Sequence, residues 1–453
     1  MSLQLDSVDN LRLGETSSFL PFKKDHIGFQ RWIMLLIYSL NSIVIGFLYI
    51  GISPKSVISK NYYKISDLNI QLINNLFFVM YITTAMPLSY LVFRIGLRPV
   101  LVLASALNAL GTAFHLAGFG RNGFNFFIIG QIFAGIGTSA ILQMPNQLSS
   151  QWFPSNERGK STAIGFLMNL VGGSFGFLQN TFMITEYNNF YKLNNQFLMF
   201  YFTRFVFVII TSLFTLIFFK NAPRLHNYQY HASSAQNFVK KEKFRNYLSM
   251  LLTDQHFLVM SQSFSIYFGL IAAIPLYLDL FVAKYKNSFS ENVGWMGLFN
   301  FICGVIGCLV FGIILDKLKK FRALSIVSNF TSMITWLGFI LILRKTDSFF
   351  GPFIMFLIYG FFAYPYITIG LEQSAEMTFP VPEEFSSSFI LIIGNFYALI
   401  FGLIFGVFNH FGLIEVVPYI ITGFYLLSTL LTSLVKTYLK RSVADVFSTL
   451  NYN

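Results

Sequence analysis

The chain has 453 residues, 55% of them hydrophobic and only 11% charged, with a net charge of +12. Soluble domains carry roughly a quarter charged residues, so this composition and a mean hydropathy of +0.61 exclude a soluble enzyme and point to a polytopic membrane protein. The basic residues lie between apolar runs and not on one soluble face, which argues against nucleic acid as a partner. Cys303 and Cys308 are the only cysteines, which excludes a cysteine-rich metal or disulfide framework.

Residues 1–28 are polar and form an expected cytoplasmic tail. Within it Glu15 to Leu20 approaches an acidic dileucine signal, from which Phe19 departs. The first apolar run, near 31–53, lacks a small-residue cleavage pattern and reads as a retained span. Further runs fall near 68–93, 99–120, 126–149, 160–183 and 198–219. After a basic linker at 220–256, six more follow near 257–282, 293–315, 322–343, 350–371, 385–408 and 415–436, and 437–453 form a second tail. Each run is long enough to cross about 30 Å of hydrocarbon as a helix. The expected fold is thus all-α, with twelve transmembrane helices in two six-helix bundles, 29–219 and 257–436.

Lys and Arg concentrate on the cytoplasmic side of membrane proteins. With both termini inside, 21 of the 31 basic residues fall on inner segments, 9 on outer loops, and Arg204 within a span. The loop after the second span, with Arg94, Gly96 and Arg98, matches in position the loop after the eighth, with Asp316 and Lys317. Both resemble the Gly-x-x-x-Asp-Arg/Lys-x-Gly-Arg/Lys-Arg/Lys loop of the major facilitator superfamily, in which acid and base bridge helix ends when the inner mouth is closed. The resemblance makes Arg94, Arg98, Asp316 and Lys317 gating candidates, and Arg158 and Glu376 join them as charges at inner span ends.

Glycines recur closely in the fourth and fifth spans, and Gly402 and Gly406 form a Gly-x-x-x-Gly pair in the eleventh, a pattern that lets helices approach in lipid. Pro87, Pro145, Pro275 and Pro365 lie within spans, where each removes a backbone donor and can bend the helix. Ionisable groups are scarce away from span ends: Arg204, Asp279, and Glu372 and Glu376 at the end of the tenth. Ion-coupled carriers commonly need a buried titratable group, so the shortage favours facilitated transport. Neutral groups are plentiful by contrast, among them Tyr49, Thr138, Gln143, Asn169, Tyr267, Tyr364 and Asn395. Together they favour a small polar or weakly charged solute, and their rings could hold a cation for about 0.5–2 kcal/mol per contact. Neither a catalytic constellation nor metal-ligand spacing is evident, and no cofactor is expected.

Arg31-Trp32, the stretch 96–111, the string from Met144-Pro145 to Trp152-Phe153 and the string from Glu372 to Pro380 resemble the feline leukaemia virus subgroup C receptor-related family of the major facilitator superfamily. The resemblance spans about 31 to 436 and implies carriage of choline and ethanolamine; haem and, in one branch, pyridoxine are linked to the family as well. Carried over by position, its cation site falls on Tyr49 where choline carriers have Trp, on Thr138 and Asn395 where they have Gln, and on Ala272 where they have Tyr. Tyr267 and Phe268 lie one turn before Ala272, and the family's gating acid falls on Glu383.

The expected activity is alternating-access uniport of choline, ethanolamine or a related amine by a monomer in the plasma membrane, with Tyr49, Thr138, Gln143, Tyr267, Phe268 and Asn395 as substrate residues. The alternatives are a proton-coupled carrier of a vitamin, haem or organic anion, a non-transporting receptor or structural subunit, and an organellar membrane. The single glycosylation sequon, Asn329-Phe330-Thr331, is expected at an inner-facing span start and unused.

Overall fold

A computed structural model describes residues 24–153, 157–185, 190–221, 244–381, 383–436, 438 and 440–441. The dileucine-like string, most of the basic linker and most of the C-terminal tail lie outside the described residues. Among the described residues, twelve helices are long and apolar enough to cross a bilayer: Gly28–Tyr63, Leu68–Val92, Leu97–Ala117, Phe124–Leu142, Arg158–Met183, Phe190–Phe218, Gln255–Tyr285, Val293–Leu315, Phe321–Lys345, Phe350–Thr378, Phe385–His410 and Ile414–Leu434. We refer to them as the first to twelfth spans. No strand occurs among the described residues, as hydrocarbon requires of any spanning segment that is not a closed barrel.

The six-plus-six repeat expected from the loops reappears in the packing. In the first half the first span packs on the fifth, the third on the fourth, the second on the fourth and the third on the sixth. Advancing every number by six gives the pairs of the second half: seventh on eleventh, ninth on tenth, eighth on tenth and ninth on twelfth. Two further contacts, second on eleventh and fifth on eighth, join the halves and exchange under the same shift. The matching loops both place a residue of positive φ at the corresponding position, Gly96 after the second span, φ +95° and ψ 171°, and Lys319 after the eighth, φ +50° and ψ 25°. The first combination is open only to glycine, whereas the second is the left-handed helical region that a lysine can enter at modest cost.

Local signals account for the ends and breaks. Ser66 accepts from the Asn69 amide at the start of the second helix, and Asp254 accepts from the His256 and Phe257 amides at the start of the seventh. Pro145 opens the short helix Pro145–Trp152 after the fourth span ends at Leu142, and Pro365 divides the tenth into Phe350–Ala363 and Pro365–Thr378. Pro87 and Pro275 sit inside continuous helices. The sixth span starts at Phe190, ahead of the expected 198, because Phe190 and Phe197 stack on Tyr62 and so extend the buried face past the hydropathic run. Asn329 of the sequon is wholly buried in the ninth span and donates to Thr432 Oγ1 at 3.1 Å.

Arg204 is 1% exposed and works as a fastener. Its Nε donates to Gln179 Oε1 at 2.6 Å, its Nη2 donates to the Gly51 carbonyl at 2.9 Å, and its charge lies 4.2 Å from the Phe200 ring centre and 4.7 Å from that of Phe47. It thereby ties the sixth span to the fifth and to the end of the first. Arg204→Met should destabilise the fold by about 2–4 kcal/mol, since two charge-assisted bonds are lost and a buried acceptor is orphaned. A thermal unfolding midpoint several degrees lower than wild type is the expected reading, and an unchanged midpoint would contradict the assignment.

Candidate functional site

Spans from both halves enclose a central cavity of about 130 Å³. Its wall is mostly rings and aliphatic side chains: Tyr49 from the first span, Phe77 and Phe78 from the second, Phe166 from the fifth, Phe268 from the seventh and Phe301 from the eighth. The break before Pro365 sets the Tyr364 ring into the wall, where it stacks on Phe301 at 5.2 Å between centres. Polar groups are few, chiefly Thr138, Asn169, Thr368 and Asn395, and no Asp, Glu, Lys, Arg or His among the described residues lines the cavity.

The polar groups differ in how far they are satisfied. Asn395 Nδ2 donates to the Leu391 carbonyl at 2.8 Å, within its own helix. Thr138 Oγ1 is buried at the cavity wall with no protein partner among the described residues. A buried hydroxyl left unpaired carries a penalty that a water or solute in the cavity would remove. Tyr49 spans the cavity between the halves: its hydroxyl donates to the Ala272 carbonyl of the seventh span, while its ring sits 6.1 Å from those of Phe77 and Phe78.

Of the six substrate candidates, Tyr49, Thr138, Phe268 and Asn395 converge here, together with Ala272. Tyr267 lies outside the lining. It is fully buried in the second half, bonded to Ser332 Oγ at 2.6 Å and donating to the Ala363 carbonyl at 3.2 Å. Adjacent helical residues point about 100° apart, so when Phe268 faces the cavity Tyr267 turns away from it. Gln143 lines a separate, smaller pocket of about 30 Å³ towards the side of the membrane that carries the chain ends. There its Nε2 donates to the Ser139 carbonyl at 2.9 Å, and its Oε1 accepts from Ser89 and, at 3.2 Å, from Ser388. It joins the second, fourth and eleventh spans.

The gating candidates divide in the same way. Glu376 and Glu383 meet on Arg441, at 3.0 and 2.6 Å, with Glu372 at 3.6 Å. Partial burial acts to lower the Arg441 pKa, but Glu383 and Glu376 outweigh it and raise it above the ordinary guanidinium range. The neighbouring Lys440 pairs with Asp254 at 3.0 Å. Burial acts to raise the Asp254 pKa, but the Lys440 bond and the helix amides hold it below the usual carboxylate range. The segment after the twelfth span thus crosses the ends of the seventh, tenth and eleventh. In the first half, Arg31 pairs with Glu157 at 2.9 Å over the rings of Trp32 and Phe153. Arg158 instead donates to the Phe153 and Ser150 carbonyls, Arg94 lies over Tyr90, Arg98 is half-buried, and Lys317 is exposed. The side chain of Asp316 lies outside the described residues. Arg441 and the Arg31–Glu157 pair had no signal in the sequence, because ion partners far apart in the chain are set by packing.

Contacts between the halves lie on both sides of the cavity. On the side of the chain ends, Asn146 Nδ2 donates to Ser387 Oγ at 3.3 Å, beside the Gln143–Ser388 bond. On the opposite side the bonds are more numerous. Gln71, Asn74 and Asn75 of the second span donate to the Gly406 carbonyl at 2.9 Å, the Leu276 carbonyl at 3.2 Å and the Tyr277 hydroxyl at 3.3 Å. There Asp279 also accepts from Ser56 Oγ at 2.8 Å.

Comparison with known proteins agrees with this architecture. Residues 31–404 match the family model for the Major Facilitator Superfamily. A zebrafish (Danio rerio) choline/ethanolamine transporter, flvcr2a, is 25% identical over 96% of this chain and 91% of its own length. The choline/ethanolamine transporter FLVCR1 of Felis catus is 26% identical over 85% of this chain and 68% of its own, and the uncharacterised MFS-type transporter C09D4.1 of Caenorhabditis elegans is 27% identical over 92% and 70%. Among solved structures, a D-xylose–proton symporter superposes with a TM-score of 0.68 at 13% identity, covering 90% of this chain and 98% of its own. A bacterial homologue of the human lysosomal transporter Spinster, inward-facing and unoccupied, gives 0.64 at 15% over the same shares. With its twelve spans, its six-helix repeat and its central cavity, the chain belongs to the major facilitator superfamily, and within it resembles the feline leukaemia virus subgroup C receptor-related choline/ethanolamine transporters.

Proposed function

We propose that the protein is a facilitative carrier of choline, ethanolamine or a closely related small amine, working by alternating access about the central cavity. The observation that carries this reading is a cavity walled by aromatic rings and free of charged side chains, with an unpaired hydroxyl at Thr138. Ring faces attract a desolvated cation without fixing a counter-charge that would hold it too tightly for release. The Thr138 hydroxyl offers a bond to the hydroxyl of an amino alcohol. Volume points the same way: an apolar cavity of roughly 150 Å³ holds a benzene-sized molecule, so one of about 130 Å³ suits a solute of similar bulk and is far too small for haem. The similar zebrafish and cat proteins are choline/ethanolamine transporters by name.

Uniport is favoured over proton coupling because no titratable acid or histidine among the described residues lines the cavity. The distribution of Lys and Arg supports cytoplasmic termini. A monomer in the plasma membrane with halves at 29–219 and 257–436 completes the reading.

Three outcomes follow for proteoliposomes containing the purified chain. Wild-type protein should take up choline or ethanolamine saturably, and Tyr49→Ala should reduce that uptake roughly two- to thirtyfold by removing a ring worth about 0.5–2 kcal/mol of cation binding, together with the tie to Ala272; uptake of neither amine by wild type would refute the substrate class. Thr138→Val should leave the thermal midpoint nearly unchanged and raise the half-saturation concentration several-fold, since it removes an unpaired buried hydroxyl that the solute would engage. Collapsing the pH gradient should leave initial uptake rates unaltered, whereas a proportional fall would establish proton coupling.

A further inference from the structure

The mouth of the cavity opposite the chain ends holds a buried charge that plays no part in the solute site. Asp279 lies near the end of the seventh span, is 4% exposed and is absent from the cavity wall. Its Oδ2 accepts from Ser56 Oγ at 2.8 Å. Lys55, itself 6% exposed, acts on the same carboxylate electrostatically. Lys55 ends the short turn Ser53–Lys55 and Ser56 opens the helix Ser56–Tyr63, both in the outer part of the first span, so this is a junction between the halves. The ion pairs described on this side, Lys284 with Glu415 and Lys286 with Asp347, each lie within the second half at the surface.

We infer that Lys55, Ser56 and Asp279 form the latch that holds this mouth shut, and that releasing it is the step that exposes the cavity on that side. The inference rests on the alternating-access reading above. Opening this mouth must separate the segment around Lys55 and Ser56 from the seventh span, one of the places on this side where the two halves touch and the one that holds buried charge. Separation carries the carboxylate and the ammonium from a buried, mutually attracting arrangement into water. The closed state keeps their attraction and the Ser56 bond, while the open state regains their hydration. Neutralising either group removes their mutual attraction from the closed state only, since in the open state both are in water. The equilibrium therefore shifts toward the open state.

The protein carries its own reporter. Cys308 lines the cavity, and Cys303, on the same helix, does not. In a Cys303→Ser background, vesicles of known orientation are treated from the side opposite the termini with a membrane-impermeant methanethiosulfonate bearing a sulfonate group, and labelling of Cys308 is followed by mass. Asp279→Asn and Lys55→Met should each raise the labelling rate roughly tenfold, the change expected when one charge-assisted contact is removed from a closed state alone. Asp279→Glu, which keeps the charge, should stay near the parent rate, and so should the surface control Glu415→Gln.

Equal rates in all variants, including no labelling in any, would overturn the latch. So would a lower thermal midpoint for Asp279→Asn without faster labelling, which would make the cluster a structural brace only. The labelling is read with no transported solute present. Its failure therefore leaves the amine reading standing, and failure of amine uptake leaves the latch standing.

Discussion

The contact of the second span with the eleventh is the constraint on which the closed cavity depends. Gly402 and Gly406 present bare backbone where a Cβ would overlap Asn75 Oδ1 and Gln71 Oε1. Their carbonyls are in use: Gly406 accepts from Gln71 Nε2 at 2.9 Å, and Gly402 accepts from the Tyr277 hydroxyl at 2.9 Å, which itself accepts from Asn75. Hydrophobic attraction does not draw helices together in lipid, so close packing and interhelical hydrogen bonds carry the association. Bonds of this kind are individually modest, which suits an interface that must also come apart. A seam of neutral amides can be remade from either side, whereas a wholly apolar seam would offer no register and a heavily charged one would resist opening.

The same economy of charge runs through the site. Arg204 is held by Gln179, the Gly51 carbonyl and two rings within the first half, away from the cavity wall. Glu372, Glu376 and Glu383 are gathered by Arg441 at the ends of the second half. With the formal charges engaged elsewhere, the cavity is left to rings, a few amides and hydroxyls. Such a wall attracts a cation weakly and without a counter-ion, a property that lets a carrier bind and release the same solute at low energetic cost.

Much of the architecture was legible because a membrane writes its constraint into composition: a span needs an uninterrupted apolar run, and a repeat of six such runs shows in the matching loops around Gly96 and Lys319. The Gly402–Gly406 pair likewise reads directly as close packing. The site was legible only in part. Tyr49, Thr138, Phe268 and Asn395 face the cavity, but the choice between Tyr267 and Phe268 turns on a rotation of about 100° that hydropathy cannot fix in a helix buried on nearly every side. Phe77, Phe166 and Phe301 carried no signal among 56 phenylalanines. Arg441 was invisible as a partner because its carboxylates lie on other spans, and Gln143 read as a solute ligand when its amide is occupied by serines of the second and eleventh spans.

The central claim, that an uncharged aromatic cavity binds a small organic amine, is tested most directly by equilibrium binding of radiolabelled choline to the purified protein between pH 6 and pH 8. The account predicts saturable binding, displaced by ethanolamine or tetramethylammonium, with the same affinity across that range because no Asp, Glu or His among the described residues lines the cavity. Absence of saturable binding, or an affinity that changes tenfold per pH unit, would contradict it.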